Sequence, residues 1–92
     1  MKRNLAYSGP ASQSLSEVFP PSRRRRFAEQ LRALTEDPHP PGSVKMKLGK
    51  RGAKAGAVYR IRNGPYRALY VFDENEVLIL DIEHRKNAYR RT

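Results

Sequence analysis

Residues 58–85 read VYRIRNGPYRALYVFDENEVLILDIEHR, and the way this stretch alternates decides the fold. Apolar residues recur at every second position in VYRIR, YRALYVF and EVLILDI, the period of half-buried strands. NGP and DEN separate the three runs and are turn signals. Links this short join antiparallel neighbours. Asn63-Gly64 suggests a tight two-residue hairpin, but Pro65 has no N–H to give such a turn, so a four-residue loop over 63–66 is expected. Either even length gives one parity. Arg60, Arg62 and Arg67 share one face, and Tyr59, Ile61, Ala68, Tyr70 and Phe72 share the other. With DEN as a three-residue loop, Leu78, Leu80 and Ile82 join the apolar face, and Asp81, Glu83 and Arg85 join the arginines. The same alternation points His84 away from Arg85. One slip in register would invert a whole strand.

Upstream, residues 2–7 (KRNLAY) are a candidate first strand and SGPASQSLSEVF reads as a short helix. Ser8 or Gly9 can cap that helix, and Pro10 or Ala11 suits its first turn, where a missing N–H costs little. PPS then breaks the chain before SRRRRFAEQLRALTEDP. Here Phe27, Leu31 and Leu34, with Ala28 beside them, form a 3.6-period stripe; Pro38 ends it. Residues 38–57 are rich in Pro, Gly and Lys and read as a long basic loop with a short extended piece at VKMKL. The expected fold is α+β: a small antiparallel sheet of about four strands, two N-terminal helices on one face, an open cationic face opposite. Residues 1–92 make a single domain.

The composition narrows the partners. The chain holds 19 Lys+Arg against 9 Asp+Glu, a net charge of +10, with 38% hydrophobic and 30% charged residues. Such a basic balance favours an anionic partner. No run approaches the ~20 apolar residues that span a bilayer. MKRNLAYSGP lacks the apolar core of a secretory signal, so a cytoplasmic location is expected. The absence of cysteine excludes disulfides, thiolate zinc sites and cysteine nucleophiles. Two histidines without a carboxylate cluster give no metal site, and no cofactor motif is present.

VYRIRNGPYRALYVFDENEVLILDIEHRKNAYRR resembles the C-terminal half of the RelE/ParE toxin family, and LTEDPHPPGSVKMKLG resembles the helix end and proline loop that precede it there. The hairpin YRIR…G.YR..Y and the closing HRKNAY carry most of the likeness, which extends over essentially the whole chain. The resemblance implies the toxin of a toxin–antitoxin pair that is neutralised by an acidic, RelB-like antitoxin, with a heterotetramer among the assemblies it admits. Ribonuclease members of the family enter the ribosomal A site and cut bound mRNA without a metal. The ribose 2′-OH attacks the adjacent phosphate, leaving a 2′,3′-cyclic phosphate and a 5′-OH; translation and growth stop. ParE-type relatives poison DNA gyrase instead. A third reading is an inactive, basic RNA-binding relative.

In-line attack needs a proton acceptor, cations around the phosphorane and support for the leaving oxygen. Arg67 matches a family arginine that grips the scissile phosphate, a task suited to the two parallel donors of guanidinium. The plain alternative is a sheet arginine paired with Asp81 or Glu83. Arg60 and Arg62 align with a basic pair that is lysine in some ribonucleases. Arginine stays protonated, so the resemblance casts them as phosphate clamps or leaves them as a solvated face. Arg85 matches the arginine credited with the leaving group, where charge stabilisation is the physically sound role. His84 belongs to the side-chain class that titrates near neutral pH, and some relatives use a C-terminal histidine, but its parity equally suits a cap on the core. Tyr89 matches a tyrosine that stacks on the mRNA base, or it packs the tail.

Arg23 to Arg26 open a helix, where cations oppose the macrodipole. Contact with RNA backbone and a solvated helix end both fit them, and four successive residues point all round the helix. Lys45, Lys47, Lys50 and Arg51, with Lys54, could track ribosomal RNA phosphates. His39, between prolines, is a plain loop residue.

Overall fold

The computed structural model describes residues 2–18, 21–46 and 57–84, with only the backbone described at Glu17 and Val18. The elements follow the order β1 (Asn4–Tyr7), α1 (Gly9–Val18), α2 (Pro21–Ala33), β2 (Val44–Lys45), β3 (Tyr59–Asn63), β4 (Tyr66–Phe72) and β5 (Glu76–His84). They form a 5-stranded sheet in the order β1-β5-β4-β3-β2. The α+β architecture is as expected. The extra strand is β2, the paired part of VKMKL, which runs antiparallel to β3. The first strand lies parallel to β5, so the sheet is mostly rather than wholly antiparallel. Parallel neighbours need a long crossover, and α1 through β4 supply it.

Both helices cover one face. Phe27, Leu31 and Leu34 are fully buried against Ile61, Ala68, Tyr70, Val77, Ile79 and Ile82. Each large apolar side chain so buried contributes about 1.5–3 kcal/mol. The start of α1 is fixed by Ser8, whose hydroxyl accepts from the Ala11 N–H at 3.1 Å and donates to the Leu80 carbonyl at 2.7 Å. A cap of this kind is worth about 1 kcal/mol. Beyond α2, the proline segment is tied to the sheet by the Tyr70 hydroxyl, which donates to the Pro38 carbonyl at 2.7 Å. His39 is exposed and rests edge-on against Tyr59, ring centroids 4.9 Å apart, with Tyr59 in turn stacked on Tyr70 and tilted against Phe72. Its position is that of a loop residue closing an aromatic cluster.

Two turns differ from expectation. Asn63 pairs directly with Tyr66, so Gly64 and Pro65 alone form the β3–β4 turn. Gly64 has φ +59 and Pro65 is held near −65° by its ring, the combination of a type II′ turn. The bond that closes such a turn comes from Tyr66, not from Pro65, so proline is no obstacle there. The parity is unchanged, as either even length requires.

The second turn matters more. Phe72 pairs with Val77, not with Glu76, so four residues rather than three separate the partners. The link is held by Asp73, whose carboxylate accepts from the N–H groups of Asn75 and Glu76 at 2.7 and 2.8 Å, and whose N–H donates to the Glu76 carbonyl at 2.9 Å. These N–H bonds hold the Asp73 carboxyl below its usual range. In consequence Val77 and Ile79 are buried, whereas Leu78 and Leu80, expected in the core, are not. A bulge then intervenes: Leu69 pairs with Asp81 and Tyr70 with Ile79, leaving Leu80 as the extra residue. The bulge shifts the phase back, so Ile82 is buried and Asp81 and Glu83 stand beside the arginines as expected.

Candidate functional site

The face away from the helices is built by β3, β4 and β5. Arg62 lies opposite Arg67, Arg60 opposite Leu69, and Arg67 opposite Glu83. Directly opposed side chains on a sheet stand about 4.5–5.5 Å apart at Cβ, so Arg62, Arg67 and Glu83 form one row across three strands. Arg67 and Arg60 are half-buried and Arg62 is exposed. The expected arginine triplet is therefore brought together. Glu83 is the β5 member of this row, facing Arg67, and Asp81, two residues earlier on the same face of β5, lies opposite Leu69. Asp81 also accepts from the Ile82 N–H at 2.9 Å.

This face is not uniformly cationic. Leu69, Val71 and Leu78 share it, all half-buried, because the phase of β5 directs Leu78 outward. Val44, opposite Arg60, extends it at the edge and is 47% exposed. The arginines thus gather toward the β3–β4 turn, with apolar side chains toward the other end.

His84 is not part of the row. It pairs with Tyr66 on the helix-covered face and is half-buried, its ring edge-on to the Tyr66 ring at 4.9 Å and 85°. Lys45 pairs with Tyr59, so it is on the side opposite Arg60, exposed at the sheet edge. Arg85, Tyr89, Lys47, Lys50 and Arg51 lie outside the described residues, as does Lys54.

The four arginines of α2 divide as their helical spacing requires. Arg24 is half-buried and donates to the Ser16 carbonyl at 2.9 Å, bridging α2 to α1. Arg25 is exposed. Arg23 and Arg26 line a cleft of about 340 Å³ with Ser22 and Asn63. The Arg23 guanidinium lies 5.9 Å from the Tyr66 ring centroid, on the ring that His84 also touches. Sequence reasoning placed these cations but missed Asn63, since nothing local ties the β3–β4 turn to α2. The visible signal was Gly64, which leaves room for Arg23: a Cβ there would stand 2.9 Å from Arg23 Nη1.

Among the described residues no group of three or more His, Cys, Asp or Glu could hold a metal ion. No described helix is long and apolar enough to cross a membrane.

The comparisons agree with this architecture. The chain matches the family model described as the ParE toxin of type II toxin–antitoxin systems over residues 6–89. It is similar in structure to a chain of the archaeal RelE–RelB complex from Pyrococcus horikoshii OT3, with 24% identity over 92% of this chain and 97% of that one, at a TM-score of 0.74. A chain of the toxin–antitoxin complex RelBE2 from Mycobacterium tuberculosis gives 22% identity, 92% and 100% coverage and a TM-score of 0.72. YoeB from Staphylococcus aureus gives 18%, 91% and 98%, and 0.71. At these identities the likeness carries the fold. No curated protein matches the chain. A match over nearly all of the chain, joined to a RelE-like fold, shows that the protein belongs to the RelE/ParE family, the toxins of type II toxin–antitoxin systems.

Proposed function

We propose that this toxin is a ribosome-dependent mRNA endoribonuclease that cleaves by 2′-OH attack without a metal. The observation that carries the reading is the row Arg62–Arg67–Glu83, with Arg60 beside it on the same face. Arg67 is held between neighbouring strands on a rigid sheet, the arrangement that presents a guanidinium fork to a phosphate with little entropy left to lose. Arg60 and Arg62 add positive charge where the phosphorane becomes more negative than the ground state.

Permanently protonated arginines supply charge and not a base. Among the described residues of this face the groups able to accept the 2′-OH proton are carboxylates, and Glu83 stands directly opposite Arg67. His84 lies on the core side with its ring edge-on to Tyr66, a placement that favours packing over proton transfer. Arg85 and Tyr89 lie beyond the described residues; their roles at the leaving oxygen and the base rest on the family resemblance. The partners are an acidic antitoxin, as in the RelE–RelB complexes it resembles, and the ribosome with its mRNA.

The test is induction without antitoxin, followed by mapping of transcript ends. The expected result is mRNA cut within codons only where ribosomes are present, and lost in Arg67→Ala with the fold retained. Intact transcripts on toxin-loaded ribosomes would refute it. A second reading, a gyrase poison, is favoured by the family model's own description as a ParE toxin. It predicts DNA breaks and an SOS response while translation initially continues, with no dependence on Arg67.

A further inference from the structure

We infer that the cleft between α2 and the β3–β4 turn is a second phosphate-binding site, which holds the RNA backbone away from the bond being cut. The inference deepens the reading above, naming a second contact for the same RNA.

The cleft has the chemistry of an oxyanion site. It holds about 340 Å³ and is lined by Ser22, Arg23, Arg26 and Asn63, two guanidinium groups, a hydroxyl and an amide with no carboxylate among them. Arg23 and Arg26 stand at i and i+3, neighbours on one helix face. The walls are braced. The Asn63 amide donates to Gln30 Oε1 at 2.7 Å, and the Gln30 amide donates to the Arg62 carbonyl at 3.2 Å. Arg23 is stationed between the Tyr66 ring and the bare Cα of Gly64. Guanidinium prepositioned in this way loses less freedom on gripping a phosphate.

RNA suits the cleft better than an acidic protein does. Its lining is polar and offers no apolar pocket for the buried anchors on which protein interfaces depend. A phosphodiester needs only cations and donors. The position also suits a strand. Arg62 and Arg67 lie on the opposite side of the same turn, so RNA passing around the turn meets cations on both faces. The cleft then governs affinity and its salt dependence, while the row on the sheet governs the chemistry.

The test is binding of a short unstructured oligoribonucleotide over a salt titration. The variants are Arg23→Ala/Arg26→Ala, Arg26→Ala alone and, as a control, the exposed Arg25→Ala. Each phosphate contact on a single strand contributes about 0.7 to the slope of log K against log salt. The double variant should therefore lower the slope by about 1.4 and weaken binding by an order of magnitude or more, with Arg26→Ala near half that slope change. Arg26 is exposed, so its variant reports on binding even if loss of Arg23 from Tyr66 disturbs the fold. Equal losses in Arg25→Ala and Arg26→Ala would overturn the inference, leaving only diffuse charge. So would displacement of the oligonucleotide by an equal concentration of inorganic phosphate or of a poly-glutamate peptide. Because the readout is binding, it stands apart from cleavage. Uncut transcripts with binding that depends on Arg26 would sink the ribonuclease and keep the cleft.

Discussion

Replacing Ser8 by alanine removes one hydroxyl that performs two tasks. It accepts from the Ala11 N–H at 3.1 Å, capping α1, and donates to the carbonyl of Leu80 at 2.7 Å, the residue left over by the β5 bulge. Loss of a serine cap costs about 1 kcal/mol. Leaving a half-buried carbonyl without its donor costs about 1 kcal/mol more. Ser8→Ala should thus lose about 2 kcal/mol, which for a domain of this size lowers Tm by roughly 10 °C. Glycine is tolerated as an N-cap at a cost of a few tenths of a kcal/mol. Ser8→Gly therefore isolates the bulge contact and should lose about half as much. Threonine keeps the hydroxyl and should stay near the parent. Thermal melts of the four proteins, read by circular dichroism, give the comparison directly. If Ser8→Ala melts within about 1 °C of the parent, the hydroxyl holds neither the helix start nor the bulge, and Ser8 does not set the phase of β5.

Four further outcomes follow from the same contacts. Glu83→Gln should reduce single-turnover cleavage on ribosomes by ~100-fold, a typical general-base contribution, while leaving ribosome binding intact; unchanged cleavage would remove Glu83 from the chemistry. Gly64→Ala should cost about 1 kcal/mol for its positive φ and push Arg23 off Tyr66, measurable as a loss of oligoribonucleotide affinity beyond the loss of stability. Tyr70→Phe, which deletes the bond to the Pro38 carbonyl, should destabilise by about 1 kcal/mol and speed hydrogen exchange in the proline segment. The depressed Asp73 carboxyl stabilises the folded state fully above its unfolded value of 3.8, and that contribution disappears as pH falls through the lower folded value. Asp73→Asn should accordingly flatten the fall in stability below about pH 4, and an unaltered acid limb would disprove the link.

The sequence alone was enough to identify both helices, the stripe of Phe27, Leu31 and Leu34, the three long strands and the shared face of Arg60, Arg62 and Arg67. Each of these rests on a local period or on an even-length turn, and either even length gives the same parity. Tertiary structure decided the rest, for a reason visible in β5. Val77, Leu78, Ile79 and Leu80 are apolar in both phases, so alternation cannot say which pair turns inward. Packing against the helices chose Val77 and Ile79, the Asp73 turn set the four-residue link, and the bulge at Leu80, held by Ser8 from across the fold, restored Asp81, Ile82 and Glu83 to the anticipated faces. Two departures of opposite effect cancelled, which is why the arginine–glutamate row was legible although the strand leading to it was not. The parallel docking of β1 on β5, the seat of His84 on Tyr66 and the cleft joining Arg23 and Arg26 to Asn63 all depend on residues distant in the chain. Long-range hydrogen bonding and packing create them, and no local pattern encodes them.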